Sequence, residues 1–264
     1  MLKYTYPEGK NKALTFSYDD AEVGDRQLVS MFNKFGFKGT FHLNSGKLDT
    51  GNYISASEVK SLYEGHEVAC HGVMHKHPLV MSPSEAFLEY SRDREALEKL
   101  TGKMVRGLSY AYGEYSDETI ETARSCGLIY SRTVEDTFGF RLPADFMKWH
   151  PTIHHCNDRL FELIDDFLAQ PDYAELPLMY IWGHSFEFDR NDDWGTMDKI
   201  GARLTGQQDI WYATNIEIYE YVTAVRGLVY KSDGSEVYNP SAAAVWFTDA
   251  GKLIKLGAGE YYKL

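Results

Sequence analysis

Short apolar runs alternate with amphipathic stretches from the start of the chain to about residue 225. Residues 13–16 have the pattern of a buried strand, and the apolar residues that follow have the i, i+3, i+4, i+7 spacing of one helix face: Leu28, Met31, Phe32 and Phe35. Further strands are predicted at residues 40–43, 67–70, 105–111, 128–134 and 177–183, and helices at 82–101, 117–125, 158–169 and 214–225. This alternation favours a parallel α/β sheet, and the number of units favours a barrel over a small open sheet.

Two serines precede predicted helices with the spacing of a capping box, in which a serine and a glutamate three residues later satisfy free amides at the helix start. Ser55 stands three residues before a glutamate, and so does Ser82, which is followed by a proline at the first helical position. Thr214 is expected to cap the last helix. The pattern thus predicts three helix starts from local chemistry.

The pattern changes at about Gly227. Three short strands are predicted at residues 228–230, 244–247 and 252–255, between Asp-Gly, Asn-Pro and Ala-Gly turns. We therefore expect two parts, a barrel over residues 1–226 and a short β-rich C-terminal extension over residues 227–264 that packs on it.

Composition excludes several classes of protein. The 264 residues carry 27 Lys+Arg against 39 Asp+Glu, and this net charge of −12 argues against a nucleic-acid partner. The three cysteines have no C-x-x-C spacing, so no disulfide framework is expected. No apolar run approaches the roughly 20 residues of a membrane span. The N-terminus lacks a signal-peptide pattern, which favours a cytoplasmic protein, or an exported one if a leader has been lost.

Two adjacent carboxylates, Asp19 and Asp20, come directly after the first predicted strand. Adjacent carboxylates repel each other unless a cation lies beside them, and a metal can hold one while the other acts as a base. Alternatively, the pair caps the following helix, where negative charge suits the helix dipole. Both interpretations stay open on this segment alone.

Residues 66–77 hold four of the nine histidines, directly around another predicted strand. His71 and His75 are four residues apart, which would place both imidazoles on one side of a helical turn, as a shared divalent cation requires. Position 72 is glycine, so the H-E-x-x-H pattern of zinc proteases is not met. The alternative is a surface cluster without function.

His184 is the first titratable residue after the apolar strand at 177–183. Such a histidine is a candidate general acid, although a structural role is the alternative for a lone ring. Taken together, one aspartate and two histidines make a three-ligand metal site with open positions, as in catalytic sites. Asp19 would then deprotonate a bound water and His184 would protonate a leaving group, which predicts a hydrolase.

These segments resemble motifs of the polysaccharide deacetylase family (carbohydrate esterase family 4, the nodulation-deacetylase homology domain). Residues 15–21 are similar to its T-F-D-D-G motif, with two additional residues and alanine for glycine. Residues 71–75 resemble H-[S/T]-x-x-H, residues 110–113 partly match R-x-P-Y-G, and residues 180–184 resemble a strand that ends in L-x-x-H. The order and spacing agree from about residue 12 to residue 190.

The resemblance implies a distorted (β/α)7 TIM-like barrel, here with a small C-terminal β appendage. It implies that Asp19 is the catalytic base, that His184 is the acid, and that the Tyr112 backbone amide is an oxyanion donor. The implied metal ligands are Asp20, His71 and His75. A divalent metal is implied as cofactor, and zinc suits this ligand set.

The chain departs from the family pattern at two places. Ser109 stands where the third motif has the arginine that braces the base, and Arg106 and Arg132 are the candidate substitutes. No clear counterpart exists to the fourth motif, an Asp-Trp element that tunes the acid. The candidates are Asp136 and a second histidine group, with surface or structural roles as the alternative: His150, His154 and His155.

The function expected from the resemblance is removal of acetyl groups from N-acetylated amino sugars of a polysaccharide or oligosaccharide, so the expected partner is an acetylated glycan. One alternative is that the same site hydrolyses a different bond. The protein would then be an O-acetyl xylan esterase or a small-molecule C–N hydrolase. Another is a catalytically weakened barrel that binds glycans, because the two family elements are missing.

Overall fold

The computed structural model describes residues 2–264 of the chain. Its strands are β1 (Lys3–Thr5), β2 (Lys12–Asp19), β3 (Gly39–Leu43), β4 (Glu67–Cys70), β5 (Gly107–Ser109), β6 (Tyr130–Arg132), β7 (Ile153–His154), β8 (Leu178–His184), β9 (Ile210–Tyr212), β10 (Val229–Tyr230), β11 (Glu236–Tyr238), β12 (Val245–Asp249), β13 (Lys252–Leu256) and β14 (Tyr261–Lys263). Its helices are α1 (Asp25–Phe35), α2 (Val59–Leu62), α3 (Pro83–Thr101), α4 (Asp117–Ser125), α5 (Leu160–Leu168), α6 (Phe186–Arg190), α7 (Gly195–Leu204) and α8 (Asn215–Arg226).

A curled parallel sheet forms the centre of the molecule. Seven of its strands neighbour one another in the order β6-β5-β4-β3-β2-β8-β7, and β9 pairs with the first residues of β2. The fold class predicted from the sequence, a distorted (β/α)7 barrel with a small β appendage, is thereby confirmed. Among residues 2–264, no helix is long and apolar enough to cross a membrane.

Strand β2 lies between β3 and β8, and all eight of its residues are buried. In this register Asp19, the last residue of β2, is opposite His42 of β3 and His184 of β8. Parallel strands end at the same edge of a sheet, so the residues that follow them meet there. This edge is where the candidate chemistry gathers.

Two of the three expected helix starts are confirmed. Ser82 and Thr214 each form a complete capping box, with Glu85 and Glu217 respectively. The start expected at Ser55 is wrong, because α2 begins at Val59 and has no side-chain cap. There the Glu58 carboxylate accepts hydrogen bonds from Ser55 and also pairs with Arg26 of α1, so it secures a turn before the helix.

The C-terminal strands form two small antiparallel sheets, β1-β12-β13 and β10-β11-β14. The three strands predicted after Gly227 are present, whereas β11 and β14 were not predicted. The N-terminal strand β1 pairs with β12, so the first residues of the chain join this segment. A separate apolar cluster that includes Val237, Val245 and Phe247 contacts Ala224 of α8. The division at residues 226 and 227 stays a prediction.

At the opposite edge of the sheet, β4 begins with Glu67, whose carboxylate joins β3, β6 and α8. It accepts hydrogen bonds from Thr40 Oγ1 at 2.8 Å, Tyr130 Oη at 2.6 Å and the Ile216 amide at 2.8 Å. Burial raises the pKa of Glu67 from 4.5 to about 7, although these hydrogen bonds oppose the shift. A carboxyl whose pKa is raised on folding binds more protons in the folded state, so stability falls as pH rises from 4.5 to 7.

We expect Glu67→Gln to remove this pH dependence. Glutamine resembles the protonated acid, so the two proteins should have similar unfolding free energies at pH 4, below the pKa of the carboxyl in the unfolded chain. At pH 8 the variant should be more stable, on the order of 3 kcal/mol at most, because the pKa of Glu67 rises from 4.5 to about 7 on folding. Urea unfolding at the two pH values measures the difference. Equal stabilities at pH 8 would show that the three hydrogen bonds already compensate for burial of the charge.

Candidate active site

The two adjacent carboxylates lie at the exit of β2. Asp20 and Ala21 have positive φ angles of 80° and 61°, so the chain turns sharply after Asp19. Helix α1 begins four residues beyond Ala21, and its N-terminal cap position is Gly24. Neither carboxylate therefore caps the helix, and the capping interpretation is wrong.

Asp20 lies beside both histidines of the second segment. Its Oδ1 is 3.9 Å from His71 Nε2 and 3.8 Å from His75 Nε2, and the two imidazole centroids are 4.6 Å apart. One ligand atom from each of the three residues lies within 4.8 Å of the others. The structure thus brings the three predicted metal ligands together.

The donor atoms of these residues are free to bind a cation. His71 Nδ1 is 2.9 Å from the Ser109 carbonyl oxygen, to which it donates as N–H, and this leaves the Nε2 lone pair facing Asp20. Within residues 2–264, the buried Asp20 Oδ1 has no hydrogen-bond partner. Lys47 Nζ lies 3.9 Å from this oxygen, within ion-pair range but beyond hydrogen-bond distance, and a buried carboxylate oxygen without a hydrogen bond is costly unless nearby cations offset it. Two imidazoles and one carboxylate fit the three protein ligands of a catalytic zinc site.

The histidine segment is an irregular loop, so the helical turn expected between His71 and His75 is wrong. Gly72 has a φ of 83°, and a Cβ there would approach the Glu89 side chain to 3.2 Å, so glycine replaces the serine or threonine of the family pattern for a steric reason. The buried Asp93 carboxylate accepts the amides of His71 and Gly72 at 3.0 Å each. Asp93 lies on α3 among many other charges, and no sequence signal distinguished it.

Asp19 is buried beside the three candidate ligands, and its carboxylate is held by Arg132. Arg132 Nη2 donates to Asp19 Oδ2, Arg132 Nε donates to Ser17 Oγ at 3.1 Å, and the arginine is fully buried. Burial alone would raise the pKa of Asp19, but the charge of Arg132, aided by His71, lowers it well below its ordinary value. Asp19 is therefore a carboxylate at neutral pH, 3.6 Å from His71 Nε2.

The sheet register explains why serine replaces the family arginine. Ser109 of β5 pairs with Arg132 of β6, so the guanidinium reaches the same carboxylate from the neighbouring strand. Ser109 Oγ also donates to Asp19 Oδ1 at 3.2 Å. Of the two candidate substitutes, Arg106 instead pairs with Glu220 at the surface. Arg132 therefore takes the position that the sequence left undecided.

His184 ends β8 and is held by Glu187, a residue that the sequence analysis missed. His184 Nδ1 lies 3.2 Å from Glu187 Oε2, and the same oxygen accepts the His184 amide at 3.0 Å. Burial lowers the pKa of His184, but the hydrogen bond to Glu187 and the charge of Asp19 outweigh this, so the pKa lies above its ordinary value. The spacing His184-x-x-Glu187 was the available signal. A protonated ring whose Nε2 is not used by Glu187 is suited to act as an acid.

The candidates for the missing fourth motif have different surroundings. Asp136 accepts a hydrogen bond from Trp182 Nε1 at 2.9 Å, and it therefore packs against the side of β8. His150 Nδ1 lies 2.7 Å from Thr133 Oγ1, away from His184. His154 and His155 lie next to Glu187, at 3.1 and 3.6 Å from its Oε2. Glu187, rather than one of these four candidates, holds the His184 ring.

Tyr112 lies on a short turn after β5 with a φ of 59°. Its ring stacks on His77 at a centroid distance of 3.7 Å and contacts His75 at 4.4 Å. In the described part of the chain, the Tyr112 amide donates no hydrogen bond to backbone or side chain. The Tyr112 ring thus lies beside the candidate ligand His75, and the amide N–H of the same residue is available.

Known proteins are similar to this chain in sequence and in fold. The sequence profile described as polysaccharide deacetylase matches residues 6–131. The peptidoglycan deacetylase of Helicobacter pylori is 26% identical over 114 residues, which are 43% of this chain and 38% of that protein. The chain therefore spans well under half the length of this curated relative.

Solved structures share the fold. A Mycobacterium smegmatis protein described as a polysaccharide deacetylase superimposes with a TM-score of 0.63 at 19% identity, covering 86% of this chain and 95% of that one. The family 4 carbohydrate esterase from Streptomyces lividans, solved with acetate, has a TM-score of 0.51 at 15% identity, covering 76% and 91%. The resemblance is thereby confirmed: residues 6–131 of the chain are similar to the polysaccharide deacetylase family.

Proposed function

We propose that the protein is a metal-dependent hydrolase that removes acetyl groups from N-acetylated amino sugars of a glycan. One observation carries the proposal: Asp19 lies beside the ligand set of Asp20, His71 and His75, but its carboxylate is held by Arg132. A carboxylate fixed in this way is positioned to take a proton instead of serving as a further ligand.

The residues of the chain divide the reaction between them. Asp19 accepts the proton of the attacking water, and Arg132 keeps the carboxylate in place. The Tyr112 N–H donates to the acetyl oxygen as negative charge develops on it. His184, with its Nδ1 held by Glu187, donates a proton from Nε2 to the departing amine nitrogen.

Asp20, His71 and His75 would hold the metal, for which zinc suits two imidazoles and one carboxylate. When bound, the metal supplies Lewis-acid polarisation of the acetyl carbonyl and lowers the pKa of water. The Ser109 carbonyl fixes the His71 ring, and Asp93 fixes the backbone of its loop. The ligand set is thus oriented by residues outside it.

The choice of an N-acetyl substrate is supported by the Helicobacter pylori relative, which is named as a peptidoglycan deacetylase. The aromatic surface of Tyr112 and His77 beside the site suits the flat face of a sugar ring. Hydrolysis of an acetyl ester of xylan, or of a small C–N substrate, would need the same catalytic side chains. These two substrates are therefore the alternatives to be tested.

Acetate release tests the proposal directly. The protein should release acetate from N-acetylated chitooligosaccharides or peptidoglycan fragments and should lose activity with a chelator, and added Zn²⁺ should restore it. Asp20→Ala should abolish metal loading and activity together, while Asn239→Ala, whose buried side chain bonds Ala243 and Leu256 of the C-terminal segment, serves as a control for mutation of a buried polar residue. Preferential release of acetate from acetylated xylan would show that the protein hydrolyses O-acetyl esters instead of N-acetyl amides. Glycan binding at full metal loading without acetate release would identify a binding protein.

A further inference from the structure

A second cluster of metal-ligating side chains lies behind His184, outside the proposed ligand set. It consists of His154, His155, Cys156 and Glu187, and one ligand atom from each lies within 4.8 Å of the others. None of these residues belongs to the motifs that suggested the function. The cluster joins the end of β7, which lies on the other side of β8 from β2, to α6, the helix that follows β8.

His155 is the strongest sign that this cluster binds a ligand. Its side chain is 1% exposed, and within residues 2–264 neither ring nitrogen has a hydrogen-bond partner. The ring stacks between Phe188, at a centroid distance of 4.2 Å, and Tyr18, at 5.5 Å. This packing fixes the ring with Nε2 directed toward Glu187 Oε2, 3.6 Å away. Burying an imidazole without hydrogen-bond partners costs free energy, and a bound cation would offset this cost because it coordinates the lone pair of a ring nitrogen.

A cavity adjoins these groups and has room for an ion and water. Its volume is about 110 Å³, and its lining includes His155, Cys156 and Glu187. His154 is not in the lining. Instead, His154 Nε2 lies 3.1 Å from Glu187 Oε2, and its Nδ1 accepts the Cys156 amide at 3.1 Å. His154 thus orients two of the three lining ligands, as residues behind a metal's ligands do.

We infer that His155, Cys156 and Glu187 form a second metal site, selective for a thiophilic divalent cation of the zinc class. A thiolate with an imidazole and a carboxylate is a donor set suited to Zn²⁺ or Co²⁺ and poorly suited to Mg²⁺ or Ca²⁺. Binding releases the Cys156 thiol proton to solvent, because the thiolate is the ligand. Glu187 would be shared between this cation and His184, which links the second site to the proposed acid.

Cobalt substitution tests the second site independently of activity. The ligand set Asp20, His71 and His75 contains no sulfur, so thiolate-to-cobalt charge-transfer absorption reports only the site with Cys156. The full chain, stripped of metal by a chelator, is titrated with Co²⁺ while the spectrum is followed, and zinc binding is counted by calorimetry. The native protein should show the absorption band and bind two equivalents of zinc.

The variants separate the two sites. Cys156→Ser should lose the band and bind one equivalent, whereas Cys126→Ser, the control for removal of another thiol, should keep both. His71→Ala should keep the band and also bind one equivalent, whether or not the protein is a deacetylase. The absence of a band from the native protein, or its persistence in Cys156→Ser, would overturn the second site. Loss of the band in His71→Ala would show that the two clusters are not separate.

Discussion

Asp19→Asn should lower kcat/KM by about 10²–10⁴-fold while the protein still binds its metal. Asparagine keeps the shape of the side chain: its oxygen can accept from Arg132 and its amide N–H can donate to Ser109 Oγ, but it cannot take a proton from water. Asp20 and the two histidines are unchanged, so the three-ligand set is intact. Steady-state acetate release and metal content by elemental analysis measure the two effects.

The matched control is Asp20→Asn, one residue along the chain. It should lose metal affinity and activity together, because Asp20 Oδ1 faces both His71 and His75. Full activity of Asp19→Asn would show that Asp19 is not the base. Equal loss of metal in the two variants would make Asp19 a ligand instead of a base.

Arg132→Met should lower the unfolding free energy by about 3–5 kcal/mol and lower activity as well. Arg132 is fully buried, and its guanidinium also lies over the Trp182 ring at 4.4 Å. Its removal leaves the buried carboxylate of Asp19 without its positive partner, and this uncompensated charge dominates the loss. Urea unfolding measures the stability, and acetate release measures the activity.

Arg106→Met is the matched control, since Arg106 pairs with Glu220 where half of the glutamate side chain is exposed. A surface pair of this kind contributes at most about 1 kcal/mol. The double variant Arg132→Met/Asp19→Asn should recover part of the stability lost in Arg132→Met, because the unpaired charge is gone. Similar losses in Arg132→Met and Arg106→Met, with no recovery in the double variant, would contradict the buried pair.

Much of the fold could be predicted from the sequence because its signals are local. The helix over Asp25–Phe35 follows from apolar spacing, and the helix starts at Ser82 and Thr214 follow from side chains that bond to nearby amides. The start expected at Ser55 was wrong because Glu58 is drawn to Arg26 of α1, a contact that local pattern does not contain. The strand pairing of β1 with β12 joins the two ends of the chain and had no local signal.

The candidate site divides in the same way. Residues directly after strands could be located from the sequence, since the ends of parallel strands meet at one edge, and this placed Asp19, Asp20 and His184 together. The loop conformation that presents His75 could not be predicted, because its positive φ depends on Asp93 and Glu89 of α3 holding the loop amides. Spacing pointed to the candidate ligands His71 and His75, which the structure brings together with Asp20, although the helical turn inferred from it was wrong.

The sequence by itself determined the alternation of strands and helices and the residue types at the strand ends, because both depend on neighbours along the chain. Only the tertiary structure decided which arginine holds Asp19, since Asp19 and Arg132 are 113 residues apart. It also placed Glu187 against His184 and enclosed His155 and Cys156 with it around one cavity. Charged side chains that are far apart in sequence come into contact only when the curled sheet forms. They must then pair, because a buried charge without a partner of opposite sign is strongly destabilising.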